Sequence, residues 1–275
     1  MVDAILLILR EVLEASLIIT MLMVMSRKLS IAFNWLIPAL LFGVLVSWLL
    51  AHFAYAIAEA LDGTGQEWTN AFLYLCVVIA FMIIATIIAP LFFGAPAQAK
   101  HLSFNQGSKK IRKNALLLSS ILAVGLSLAR EVAEIWIYLG GFLHQPDLLR
   151  SALTGGAIGL GVGMSLGAFV YYLLVFSSAR VFLGILFVFL TLLCGGLSMQ
   201  IAKQLLQIGF LDSAGPLWDT SNIVNEHSWA GELLYALVGY DSTPSAVQVI
   251  FYFAAVGPLL LVALWNWFCW NRQHV

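Results

Sequence analysis

Residues 5–25 read ILLILREVLEASLIITMLMVM, a run long enough to cross a bilayer as a helix, yet Arg10, Glu11 and Glu14 stand inside it. A helix needs about 20 predominantly apolar residues to span the hydrocarbon. An ionised side chain at its centre costs roughly 2.5–3.5 kcal/mol on insertion scales, so such residues face a bundle interior or an aqueous cavity and mark a pathway. A second apolar run carries the same pattern. Residues 129–135 read AREVAEI, so Arg130, Glu131 and Glu134 repeat Arg10, Glu11 and Glu14 120 positions later.

Composition agrees with a lipid setting. The 275 residues are 62% hydrophobic and 10% charged, against roughly 45–50% and 25% in soluble domains. Seven stretches reach membrane length: Ala4–Met25, Phe33–Ala58, Thr69–Phe93, Ala115–Phe142, Ser151–Phe176, Val181–Leu205 and Ala246–Trp267. The expected fold is an all-α integral membrane protein of seven spans, with residues 1–275 forming a single transmembrane domain. Because the two motifs fall in the first and fourth spans, spans one to three (residues 1–93) and four to six (115–205) are expected to form an inverted repeat. Residues 206–245 are then an external loop and 246–267 a seventh helix. Inverted repeats place an ion site near the midplane, where the halves meet.

Charge distribution orients the chain. Nine of the thirteen Lys and Arg residues (Arg27, Lys28, Lys100, Lys109, Lys110, Arg112, Lys113, Arg180 and Arg272) fall in alternate connections or the C-terminal tail. The positive-inside rule then predicts an external N-terminus and a cytoplasmic C-terminus. On the external side Asp3, Glu59, Asp62, Glu67, Asp147, Asp212, Asp219, Glu226, Glu232 and Asp241 outnumber Arg150 and Lys203. Such a surface concentrates cations. The N-terminus has an acid where a secretory signal has bases and lacks a small-residue cleavage site, so it is expected to stay attached. The net charge of −1 says nothing by itself about partners; membrane lipid is the expected one, and no nucleic acid is expected.

Helical spacing assigns the motif its geometry. Glu11 and Glu14 are i and i+3 neighbours and Arg10 reaches Glu14 at i+4; Arg130, Glu131 and Glu134 do the same. If the two faces meet, four carboxylates and two guanidiniums leave a charge deficit that a multivalent cation fills. Carboxylate oxygens suit hard cations, whereas soft copper(I) calls for Cys or Met. The arginines can hold the carboxylates ordered while the metal is absent and keep the site from binding it too tightly. Two other readings are salt bridging across a helix interface and a proton relay without metal.

The doubled Arg-Glu-x-x-Glu pattern, in the first and fourth of seven spans with the N-terminus outside, resembles the oxidase-dependent iron permease family of fungi and bacteria. Residues 216–252 add to the likeness, with WDTS at 218–221 and GYDSTPS at 239–245 resembling that family's last external loop. The resemblance implies a non-enzymatic iron permease of the cell membrane, in bacteria the inner membrane. Glu11, Glu14, Glu131 and Glu134 would handle the metal, with Arg10 and Arg130 as partnering bases. It further implies a periplasmic or extracellular oxidase, peroxidase or iron-binding partner that delivers ferric iron. Iron is then cargo, and no organic cofactor is expected. The family motif has glycine where Val12 and Val132 stand, and a valine there is expected to widen the helix contact and bear on metal choice. A permease for lead or manganese is the alternative. A membrane carboxylate-bridged metalloenzyme is a further one, although such bundles add a Glu-x-x-His pattern that neither motif shows.

Other features carry less chemistry. Gly155, Gly159, Gly163 and Gly167, within TGGAIGLGVGMSLGAF, form a small-residue face for close helix packing. Met21, Met23 and Met25 read as packing, as do Cys76, Cys194 and Cys269, which lack metal-ligand spacing. Asp219 with Glu226 and His227, and separately Glu59, Asp62 and Glu67, are possible external acceptor sites.

Overall fold

The computed structural model describes residues 2–93, 106–213, 215–225, 228, 231, 234–235 and 239–272. Among these the long elements are all helices: α1 (Val2–Lys28), α2 (Leu36–His52), α3 (Ala54–Gly63), α4 (Gly65–Phe93), α5 (Gln106–Gly140), α6 (Pro146–Val175), α7 (Ala179–Gln207) and α8 (Ala246–Arg272). Six, all but α1 and α3, are long and apolar enough to cross a membrane, α2 together with the 3-10 turn Phe33–Trp35 that leads into it. The chain is therefore a helical, multi-pass membrane protein. At 1.5 Å per residue α1 is also long enough, about 40 Å, but its apolar run carries the three motif charges.

Two helix limits differ from expectation. The second span ends at His52 rather than Ala58, where His52 stacks on Trp48 and meets Phe53 edge-on. The short α3 then follows and loses helical geometry at Ala60, with Leu61 and Asp62 in left-handed conformation. The fourth span begins earlier, at Gln106. Its basic segment continues the helix because Lys and Arg are good helix formers and nothing between Ser108 and Ala115 breaks it.

The described chain packs as two compact units, residues 1–57 with 124–177 and residues 58–123 with 178–275. They cut across the two halves of the sequence, since each unit draws helices from both.

In the first unit α1 and α6 run in parallel with their backbones almost touching. A Cβ on Gly159 would lie 2.7 Å from the Ile5 carbonyl oxygen, one on Gly163 2.7 Å from Val12 Cγ1, and one on Gly167 2.9 Å from Ser16 Cβ. The glycine stripe is thus a trough that α1 fills, as expected of a small-residue face. The C-terminal end of the pair is tied down: Thr20 Oγ1 donates to the Gly167 carbonyl at 3.2 Å, and Lys28 Nζ donates to the Val175 and Ser177 carbonyls at 2.8 and 2.6 Å. The Val175 carbonyl ends α6 and the Ser177 carbonyl lies just beyond it, and a lysine satisfies both.

The same unit contains a second close crossing that is less visible in sequence. The buried face of α2 is Ala39, Gly43 and Ser47. A Cβ on Gly43 would lie 3.0 Å from the Gly125 carbonyl oxygen and 3.0 Å from Leu128 Cδ2 of α5, and one on Gly125 3.2 Å from the Ala39 carbonyl oxygen.

In the second unit α7 packs on α4 and α8. Phe92 of α4 fills the notch at Gly184, Tyr252 of α8 fills the notch at Gly195, and Cys194 Sγ lies 3.8 Å from the Val78 carbonyl oxygen. Of the three cysteines only Cys194 is buried, while Cys269 is exposed in the last turns of α8. The loop before α8 does not stay above the helix ends. Gly239 lies against Gly196, roughly 16 Å along α7 from its C-terminal end. A short bridge between Pro216 and Ser245 and a hydrogen bond from Thr220 N to Ser242 O hold the loop in that fold.

Candidate functional site

The two motifs meet. Both motif segments belong to the first unit, and Arg130 joins them. Its Nη2 donates to Glu14 Oε2 of α1 at 3.2 Å and to Glu131 Oε1, while Nη1 donates to Glu134 Oε1 at 3.0 Å. One guanidinium therefore bridges three carboxylates on two helices, a use of the planar fork that a lysine cannot copy. Arg10 Nε pairs with Glu14 Oε1 at 3.3 Å, so Glu14 accepts from both arginines.

The sequence sets this up locally. The i, i+4 spacing puts Arg10 over Glu14 and Arg130 over Glu134, as expected. Glu14 lies about 18 Å from the start of α1 and Arg130 about 15 Å from the end of α5, so a crossing at matching depth brings them together.

Burial grades the four acids. Glu11 and Glu131 are each 3% exposed, while the Glu134 side chain is about half exposed. The Glu11 and Glu14 carboxyl groups lie close enough to Glu131 to interact with it electrostatically. Glu131 Oε2 has no hydrogen-bond partner. No donor reaches that oxygen, but the Glu11 carboxyl is within hydrogen-bonding reach of Glu131, and two buried carboxyl groups so placed are costly unless a proton or a cation is shared between them. Among the described residues no three Asp, Glu, His or Cys side chains are gathered to hold a metal ion directly; in the motif cluster a guanidinium lies between carboxylates.

Val12 does not separate the two motif helices. It points at α6, where its Cβ and Cγ1 fill the space above Gly163. The close approach of α1 to α6 here is a knob, Val12, in a hole, Gly163.

The acids expected on the external side form no metal-holding group among the described residues. Glu59 and Asp62 are exposed, and Glu67 Oε2, in the first turn of α4, is buried without a partner. Asp219 is fully exposed and accepts from Ser221 N at 2.8 Å; the Ser221 hydroxyl and backbone N–H hold its carboxyl below the ordinary value. Glu226 and His227 lie outside the described residues.

One buried polar residue of the first unit carries no sequence motif. Ser47 of α2 is fully buried and its Oγ has no hydrogen-bond partner. The signal for it was the spacing Ala39, Gly43, Ser47, small residues at every fourth position. Comparison with family models, with curated proteins and with solved structures finds no match to this chain.

Proposed function

We propose that the chain is a seven-span permease that carries iron across the cell membrane, with Glu11, Glu14, Glu131 and Glu134 handling the ion and Arg10 and Arg130 as their counter-charges. The observation that carries this reading is the ion pair from Arg130 to Glu14, which unites the two motifs in one cluster with an unpartnered buried oxygen on Glu131. Buried charge of this density inside apolar helices is hard to account for as packing alone, because isolated ion pairs in such a setting barely offset their desolvation.

An inverted repeat of spans one to three and four to six is supported by matching registers. The carbonyl five residues before each motif arginine, at Ile5 and at Gly125, is met by a glycine of the following span in the other half, Gly159 and Gly43. Each motif helix thus has its own small-residue partner. A duplicated ancestor with opposite insertion explains this economically, and inverted repeats of this kind bind ions where they meet. On this reading α1 also crosses the membrane, as the first of seven spans, the N-terminus is external, and the acid-rich outer loops gather cations. The likeness to oxidase-dependent iron permeases adds an external oxidase or peroxidase that supplies ferric iron.

Uptake into proteoliposomes of iron, manganese and lead, by wild type and by Glu11→Gln and Glu131→Gln at matched reconstitution, tests the proposal. Iron uptake by wild type that falls at least tenfold in both variants is expected. Iron uptake unchanged in both variants sinks the role of the motif. Manganese or lead uptake without iron keeps the pathway and replaces the cargo, since carboxylate ligands alone do not choose among hard cations.

A further inference from the structure

Arg130 serves its three carboxylates by two different edges. Nη2 donates to Glu14 Oε2 of α1 at 3.2 Å and to Glu131 Oε1, while Nη1 donates to Glu134 Oε1 at 3.0 Å. The two edges meet different surroundings. The Glu131 and Glu14 side chains are 4% and 16% exposed, and the Glu134 side chain 49%. Glu134 is also the i+4 neighbour of Arg130, so their pairing is internal to α5 and does not depend on where α1 lies.

On the Nη2 side the acids accumulate. Glu11, itself buried, has its carboxyl within hydrogen-bonding reach of Glu131, and Glu131 Oε2 lacks a hydrogen-bond partner. Buried carboxylates so crowded need a cation among them, and the guanidinium edge supplies one. A metal ion entering among Glu11, Glu14 and Glu131 would take the oxygens that Nη2 now holds, and two cations at contact distance repel. The ion and the Nη2 edge therefore exclude each other, whereas the Nη1 edge rests on an acid outside that group.

We propose that Arg130 is a built-in competitor of the cargo: the ion displaces it from Glu14 and Glu131, Glu134 holds it meanwhile, and its return expels the ion. The inference rests on the permease reading and divides the four motif acids. Glu11, Glu14 and Glu131 touch the ion, and Glu134 is a positioning residue that acts through the arginine.

Equilibrium binding of ferrous iron under ascorbate to the full-length protein in detergent tests this, for wild type, Arg130→Gln, Glu134→Gln and the double variant, with iron uptake into proteoliposomes measured alongside. Without its competitor the site should bind iron about tenfold more tightly in Arg130→Gln, the equivalent of about 1.4 kcal/mol, and uptake should slow because release is lost. Glu134→Gln alone should weaken iron binding several-fold, since the arginine has no second dock. Added to Arg130→Gln it should change nothing, whereas loss of an ion ligand would weaken binding in either background, a difference that a double-mutant cycle reads. Should Arg130→Gln not withstand purification, Arg130→Lys replaces it; lysine keeps the charge but loses the fork, and binding a few-fold tighter than wild type is expected. Binding no tighter than wild type in the arginine variant overturns the proposal, as does further weakening in the double variant, and both leave the permease reading standing. Tighter binding in the arginine variant with no iron uptake by wild type overturns the permease reading and keeps the competition. No iron binding by any of these proteins overturns both.

Discussion

Arg130 and Glu14 stand 116 positions apart in sequence and 3.2 Å apart in space, and their ion pair ties the two motif helices to each other. The Arg130 side chain is only 16% exposed and serves three carboxylates. Removing one member of a buried charge network leaves the others uncompensated, at a cost of about 3–5 kcal/mol. Arg130→Gln should therefore lower the thermal midpoint in detergent markedly. Arg130→Lys, which keeps the charge but loses the fork, should fall between it and wild type. A wild-type midpoint for Arg130→Gln would show that the cluster is held by other contacts.

Val12 and Gly163 form a knob and its hole, and the pair can be tested as a unit. A Cβ at Gly163 would stand 2.7 Å from Val12 Cγ1. Gly163→Ala should then cost about 1–3 kcal/mol by overpacking. Val12→Ala removes the obstructing methyl groups, so the double variant should regain most of the stability lost by Gly163→Ala. A double-mutant cycle on thermal or denaturant midpoints reads the coupling, and strictly additive effects would mean that the two residues do not meet.

These two relationships show where sequence reading stops. The pairing of Arg10 with Glu14 and of Arg130 with Glu134 was legible, because i, i+4 neighbours are fixed by the helix itself. The convergence of the two motifs was legible as an expectation, since charge in lipid demands a partner. The packing role of Val12 was not, because a valine reads as bulk until the facing residue is known, and Gly163 is 151 positions away. Ser47 was passed over for a similar reason: Ala, Gly and Ser at every fourth position is a weaker signal than four glycines, and only the crossing with Gly125 shows which face is buried. The descent of the loop to Gly196 left no local mark, as no turn residue announces how deep a loop will reach.

The Asp219 turn should respond to acid. Its folded carboxyl lies below the ordinary value of 3.8 because it accepts hydrogen bonds from the Ser221 hydroxyl and backbone N–H. A lowered folded value means a contribution to order that is fully present above the unfolded value and is lost as pH falls through the folded one. Cleavage within residues 215–225 by an acid-tolerant protease should accelerate as pH drops below that ordinary value. In Asp219→Ala cleavage should be faster at neutral pH and should lack that acid-dependent step. Identical pH profiles for the two proteins would remove Asp219 from the turn.

Gly239 and Gly209 share a left-handed backbone, with φ of +71° and +69°, but differ in surroundings. At Gly209 nothing lies within 4 Å of the position a Cβ would take, so Gly209→Ala should cost only the left-handed penalty of about 1–2 kcal/mol. At Gly239 a Cβ would sit 2.1 Å from the Gly196 Cα, and because both partners are backbone neither can turn aside. Gly239→Ala should lift the loop off α7 altogether, breaking the seat on which Tyr240 and its hydrogen bond to Val224 O depend. Limited proteolysis separates the two cases: rapid cutting between residues 206 and 245 is expected for Gly239→Ala, and near wild-type resistance for Gly209→Ala. Equal resistance in both variants would mean that the loop does not rest on Gly196.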